Sequence, residues 1–191
     1  MITGVILAAG SSKRLGSPKQ LLSWRGRPLL QHVIDAAAAS ELADVVVVLG
    51  HEERRISAAL SLPEGVRIVS NPAHESGQAS SLEAGLASLP TGVDAAAIML
   101  SDTPYLSSSL INTVVAEFDP ATAPVVRPSF GRVPGHPVVV ARSRWESWGE
   151  LTGDRGAGSL LSGASVREVE LDGRWADVDT WADYQALLEA E

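Results

Sequence analysis

The residues best equipped for chemistry sit in a few short stretches. The first is "ITGVILAAGSSKRLGSPKQLL" (2–22), an apolar run that opens into a loop of small residues carrying Lys13, Arg14 and Lys19. No Asp or Glu occurs before Asp35, so residues 1–34 hold five cations and no anion, while the remainder holds 10 cations against 23 acids in a chain of formal net charge −8. Cations gathered at one turn of an acidic chain point to a local anionic ligand rather than a nucleic-acid surface. Small side chains let the backbone approach a flat ligand closely, with Arg14 and Lys19 reaching towards phosphates. Two familiar phosphate motifs fail here. The dinucleotide fingerprint GxGxxG is absent, and the P-loop fails because five residues, not four, separate Gly10 from Gly16 and Lys19 comes later.

Carboxylates form the second group. Asp102 ends the apolar run "DAAAIMLSD" (94–102) and precedes Thr103-Pro104, a place suited to a hard divalent cation such as Mg²⁺ and equally to a turn or a helix cap. "ADVDT" supplies Asp177 and Asp179. In an extended segment both point to one side, where like charges repel unless a cation lies nearby. Asp179 has a competing role as a cap for the final helix. "SGQASSLEAGL" places Gly77 and Gln78 in a loop and Ser80 and Ser81 at a helix start, where free N–H groups or the serines themselves meet a ligand or cap the helix. "VPGHP" brings Gly135, His136 and Pro137 to a turn, where His136 either contacts a ligand or orders the hairpin tip.

Other chemistries lose ground. The chain has no cysteine, which removes disulfides, iron–sulfur clusters, thiolate zinc sites and a cysteine nucleophile. Neither "HEERR" nor "HESGQ" completes HExxH, and no GxSxG elbow occurs. Trp145, Trp148, Trp175 and Trp181 crowd the C-terminal third and are expected to pack in the core or at an interface. The apolar N-terminal run is too short for a membrane span and lacks a charged leader, so a cytoplasmic location without membrane contact is expected.

The elements that must position these residues alternate in type. Strands are expected at 3–9, 43–50, 66–71 and 94–102, the second a β-branched run of the kind buried on both faces. Helices are expected at 28–40 behind Pro28, at 53–61, at 80–90 behind a serine cap, and at 107–118. This rhythm predicts an α/β fold: a single-domain, Rossmann-like, mostly parallel sheet with helices on both faces. Residues 123–142 predict an antiparallel β excursion around a Gly/Pro-rich centre. A helix at 142–151, a turn at 152–158, a short helix at 159–163, a strand at 166–171 and a terminal helix at 180–190 complete the chain. No linker divides it, so residues 1–191 read as one domain. In such sheets ligands bind at the carboxyl ends of the strands, which is where the opening loop and Asp102 lie.

"LAAGSSKRLGSPK" resembles the LAAGxSxRxGxxK signature of the nucleotidyltransferase superfamily. "NPAHESGQASSLEAGL", "SDTPYL", "VVRPSFGRVPGHPVVV", "LTGDRGA" and "ADVDTWADY" resemble, in order, the blocks of its molybdenum cofactor cytidylyltransferase branch. The resemblance implies a Mg²⁺-dependent transfer of CMP from CTP to the terminal phosphate of molybdopterin or molybdenum cofactor, with pyrophosphate released. LAAG, where guanylyltransferase relatives have LAGG, favours CTP over GTP. By the same match the backbone of Leu7, Ala8, Ala9 and Gly10, together with Gly77, Gln78, Ser80 and Ser81, holds the nucleotide. Arg14 and Lys19 grip the triphosphate, Asp102 carries the principal metal contact, Asp177 or Asp179 adds a second, and Gly135, His136 and Pro137 lie near the acceptor. Competing readings are a nucleotidyltransferase using GTP or another acceptor such as a sugar phosphate, a glycosyltransferase using "DVD" as a metal motif, and a non-catalytic cofactor carrier for a molybdenum hydroxylase client.

Overall fold

The computed structural model describes residues 1–145, 161 and 165–190. The expected turn at 152–158, most of the helices at 142–151 and 159–163, and Trp148 therefore lie outside the described residues.

The β-branched and aliphatic runs become the centre of a sheet. β1 (Ile2–Leu7), β4 (Val45–Leu49), β5 (Val66–Ser70) and β6 (Ala95–Leu100) lie in the order β5-β4-β1-β6, and each neighbouring pair is parallel. β1 and β4 are buried on both faces, which explains why neither alternates in polarity. Val5, Leu7, Val46 and Val48 pack with Leu82 and Leu86 of α3 (Gln78–Ala87). Ile6, Val45, Val47 and Leu49 pack on the other face with Leu30, Val33, Ile34 and Ala37 of α1 (Leu29–Ala38) and Ile111 of α4 (Ser108–Ala116). At Gly85 the α3 backbone comes so close to the sheet that a Cβ there would lie 2.6 Å from Val5 Cγ1.

The excursion at 123–142 extends this sheet. β9 (Val138–Ala141) runs antiparallel beside β6, then come β7 (Val125–Phe130), with the short β8 (Val133–Pro134) paired to it, and β10 (Arg167–Glu170) parallel to β7 at the edge. The expected mostly parallel α/β architecture with a small antiparallel part is therefore the one observed.

Several local expectations are corrected. α2 (Glu53–Ala58) is shorter than the expected 53–61. α3 begins at Gln78 behind Gly77 with no side-chain cap, because Ser80 and Ser81 already lie in its first turn. A two-residue pairing of β2 (Ser23–Trp24) with β3 (Arg27–Pro28) was not anticipated; Gly26 turns it at φ 74°. Trp181, expected in the core or at an interface, is not in the core: it is 49% exposed on α5 (Trp181–Glu189) and donates from Nε1 to the Leu15 carbonyl.

Strand order also dictates where a ligand fits. From β1 the chain moves through α1 to β4 and through α2 to β5, then returns through α3 to β6 on the opposite side of β1. Connections leaving β1 and β6 diverge, and the carboxyl ends of these strands open a crevice between them. Leu7 is paired with Leu100, and the Ser101 N–H donates to the Leu7 carbonyl at 3.2 Å, so the opening loop and Asp102 emerge side by side.

Candidate active site

That crevice is a cleft of about 1120 Å³. Its floor comes from the loop after β1, and its walls come from residues after β4, the start of α3, the end of β6 and the segment before α5. Gly10, Arg14, Lys19, Gly77, Ser81, Asp102, Asp177 and Asp179 all line it, as do Leu7, Ala9 and Gln78.

Three devices bring these distant residues together. The 3-10 turn Lys19–Leu21 is tied to the loop by the Lys19 N–H, which donates to Ser12 Oγ at 3.0 Å. The Val178 N–H donates to the Asp102 carbonyl at 3.1 Å, and buried Val178 anchors beside Trp24, Leu29 and Leu187. With Val178 turned inward, Asp177 and Asp179 face the cleft, although residues 175–180 form no ladder strand. The expected alternation thus holds in an extended segment that forms no strand. Asp179 is also not the helix cap: Thr180 caps α5, and Asp183 completes a reciprocal capping box.

Charge organises the centre of the cleft. The Lys19 ammonium forms an ion pair with Asp102 and donates to Asp179 Oδ1 at 2.8 Å, while Arg14 lies 3.3 Å from Asp179 Oδ2. Burial by itself lowers the Lys19 pKa, but the charge and hydrogen bonds of Asp102 and Asp179 outweigh it and hold the amine above its ordinary value. The Lys19 hydrogen bond in turn keeps Asp179 below the usual carboxylate range. Asp177 forms no ion pair among the described residues, although the Lys19 charge acts on it and opposes the shift that follows. Its carboxylate is open to the solvent inside the cleft, yet the walls displace much of its hydration, and with Asp102 adding like charge its pKa is pushed up to about 6.

Other expected residues are placed differently. Ala8 is buried beneath the loop and Ser80 lies outside the lining; Asn71 Nδ2 donates to Ser80 and Ser81 hydroxyls at 2.9 and 3.0 Å, which fixes this end of α3. Gly135, His136 and Pro137 do not line the cleft. His136 Nδ1 donates to the Ile98 carbonyl at 3.2 Å, and burial lowers its pKa, so the ring is neutral. It lies near Trp175, which stacks on Phe130 at 5.3 Å. Of the two roles the sequence left open, this geometry supports the ordering one, with His136 bracing the hairpin against β6. Sequence reasoning also missed His51 and His74, whose rings meet edge to face at 5.9 Å along the cleft wall. Both directly follow the C-terminal region of a parallel strand, a positional signal available from the strand pattern.

The residues suit a hard divalent cation in chemistry, though no ready-made cage exists. Among the described residues no three potential metal ligands are drawn together, and the Lys19 ammonium occupies the space between Asp102 and Asp179. Mg²⁺ characteristically takes one or two carboxylates and completes its shell with water and substrate phosphates, which fits such an open arrangement.

The MobA-like NTP transferase domain model matches residues 4–170. The chain belongs to that family. Membership places it among nucleotidyltransferases. Among its relatives, the bifunctional protein GlmU of Sorangium cellulosum (strain So ce56) is 30% identical over 195 residues, covering 98% of this chain. This chain spans 37% of that relative's length. The nicotine blue oxidoreductase of Paenarthrobacter nicotinovorans is 35% identical over 167 residues, covering 84% of this chain and 81% of the relative. Rv0371C of Mycobacterium tuberculosis H37Rv, solved in complex with manganese, superposes with a TM-score of 0.83 at 30% identity, covering 100% of this chain and 99% of that one. Among the described residues of this MobA-like protein, no helix is long and apolar enough to cross a membrane.

Proposed function

We propose that the protein transfers CMP from CTP to the terminal phosphate of molybdopterin or molybdenum cofactor in a Mg²⁺-dependent reaction that releases pyrophosphate, and that a molybdenum hydroxylase receives the product. One observation carries the nucleotidyl-transfer reading. Lys19 and Arg14 of the opening loop meet Asp102 and Asp179, more than eighty residues away in sequence, in a single cleft. A triphosphate needs cations and its counter-ion needs carboxylates, and both are present at one place. The choice of CTP and of the pterin acceptor rests on the LAAG block and the ordered motif resemblance.

The reaction is a single in-line displacement. An oxygen of the acceptor phosphate forms a bond to the α-phosphorus of CTP, the bond from that phosphorus to the bridging oxygen breaks, and pyrophosphate departs with the electron pair. The acceptor oxygen is already anionic near neutral pH, so no side chain has to remove a proton. Lys19 and Arg14 offset the charge that grows on the departing pyrophosphate. Asp102, with Asp177 or Asp179, would hold the divalent cation, which when bound neutralises and draws together the reacting phosphates. The small residues Ala9 and Gly10 leave room for the base along the loop.

Pyrophosphate release measured with each nucleoside triphosphate, with and without isolated molybdenum cofactor, tests this assignment. CTP with cofactor is expected to give the highest rate, and Asp102→Ala is expected to abolish it. Preference for GTP, or turnover with a sugar phosphate in place of the pterin, would reassign substrate within the same chemistry. Binding of cofactor without consumption of any triphosphate would support the carrier reading. The oxidoreductase relative motivates one further arm. Redox turnover of nicotine blue, with no pyrophosphate from any triphosphate, would replace nucleotidyl transfer altogether.

A further inference from the structure

Gln20 follows Lys19 in the turn and is 0% exposed, an unusual burial for an amide at the edge of a polar cleft. Its Nε2 donates to the Ala8 carbonyl at 2.7 Å and to the Gly10 carbonyl at 3.1 Å. Its Oε1 is buried with no partner among the described residues. Flipping the amide would set Oε1 against two carbonyl oxygens, so the two acceptors determine its orientation.

The effect on the loop is one-sided. Each carbonyl from Leu7 to Gly10 is occupied by the protein: Leu7 by the Ser101 N–H at 3.2 Å, Ala8 and Gly10 by Gln20, and Ala9 by the His51 N–H at 3.2 Å. By contrast, the N–H groups of Ala9, Gly10 and Ser11 find no protein acceptor among the described residues, and all three residues line the cleft. Consecutive free N–H groups whose carbonyls are held elsewhere form a concavity for anions and other acceptors.

We propose that Gln20 is a positioning residue that turns the opening loop into a donor-only surface for the acceptor-rich parts of a nucleotide, and that it sets the register of Lys19 against that surface. The proposal rests on the nucleotide reading above. Without Nε2, the Gly10 carbonyl is left to seek water in the cleft, where it opposes phosphate oxygens or the O2 and N3 of cytosine, and the buried Ala8 carbonyl is left without a partner. Lys19 shares the consequence. Its own N–H is bound to Ser12 of the same loop, and its side chain extends from the turn that Gln20 anchors. The orphaned Oε1 is a standing cost of this arrangement, since a buried unsatisfied acceptor is destabilising.

Gln20→Met retains length and approximate volume while removing both donors. In the full-length protein, calorimetric titration with CMP and with Mg²⁺–CTP is expected to show dissociation constants raised at least tenfold, with KM rising more than kcat falls. Amide exchange at the Lys19 and His51 N–H groups, which bond to Ser12 and Ala9 of this loop, is expected to quicken at least tenfold, with exchange in β4 unchanged. A purely structural role would lower the melting temperature and leave the folded variant's affinity and loop exchange as in the wild type; that result overturns the proposal. If the wild type binds no nucleotide, it is the nucleotide reading that fails, and loop exchange alone then decides the role of Gln20. Gln20→Asn, which keeps an amide but withdraws it from both carbonyls, is expected to behave as the Met variant does, and wild-type behaviour there also overturns the proposal. Should neither variant fold, the wild-type Gln20 Nε2 protons decide: slow exchange supports the clamp, and rapid exchange refutes it.

Discussion

Lys19 stands between Asp102 and Asp179, two of the carboxylates proposed to hold a divalent cation, and replacing it by Met separates its two roles. The Lys19 and Asp102 side chains are 18% and 7% exposed, so their ion pair is largely removed from water. Deleting one partner of a buried pair costs about 3–5 kcal/mol, and the water reaching Lys19 places this case near the lower figure of about 3. Metal-free Lys19→Met is therefore expected to melt well below the wild type. The same substitution opens the carboxylates. Free Mn²⁺ no longer has to displace an ammonium, and its affinity, read by electron paramagnetic resonance without nucleotide, is expected to rise at least tenfold, or about 1.4 kcal/mol. At a metal concentration a hundred times the dissociation constant, binding returns about 2.7 kcal/mol of stability, nearly the whole deficit. In the wild type the dependence runs the other way. On the proposed reading the triphosphate draws Lys19 off the carboxylates, so metal is expected to bind weakly alone and much more tightly with a non-hydrolysable CTP analogue. Turnover is expected to collapse in the variant despite its tighter metal. If Lys19→Met binds Mn²⁺ no better than the wild type, and its melting temperature ignores the ion, Asp102 and Asp179 are not metal ligands and the reasoning fails.

On the proposed metal reading, Asp177, with its pKa raised to about 6, is expected to make metal affinity pH-dependent. Protons compete for its carboxylate below that value, so Mg²⁺ affinity by titration calorimetry is expected to fall between pH 7.5 and pH 5, and Asp177→Asn is expected to flatten the profile. The sign for folding is opposite to that of an ion-paired acid. The native state holds this proton longer than the unfolded chain does, so the contribution of Asp177 to metal-free stability declines as pH rises through the interval from its ordinary value, 3.8, to about 6. At Gly50 a Cβ would lie 2.5 Å from the His74 Cβ and 3.0 Å from the Ala9 Cβ. Gly50→Ala is expected to cost about 1–3 kcal/mol by urea denaturation and to weaken nucleotide binding by moving both cleft residues. Thr180→Ala removes the α5 cap and is expected to cost about 1 kcal/mol in thermal unfolding. The adjacent Asp179 makes a fall in metal affinity its second readout.

Local sequence chemistry is sufficient to specify much of this molecule. An uninterrupted run such as Val45–Leu49 has no polar side to turn towards water, so it must be covered on both faces, and alternating such runs with helices leaves a parallel sheet as the economical packing. Gly10, Arg14 and Lys19 mark a candidate anion site by residue type alone, and Asp102 stands out as an acid just after a buried apolar strand; the structure brings all four to one cleft. Long-range contacts decided the rest. Nothing within "ADVDT" says that Val178 will be buried beside Trp24, yet that burial turns Asp177 and Asp179 into the cleft and leaves the helix cap to Thr180. "VPGHP" leaves two roles open for His136, and only the folded chain brings the Ile98 carbonyl to its ring. The role of Gln20 emerges only when two carbonyls of another segment converge on its amide. Propensity and periodicity act over a few neighbouring residues, whereas the charge, partners and exposure of a side chain depend on groups that only the folded chain brings within a few ångströms.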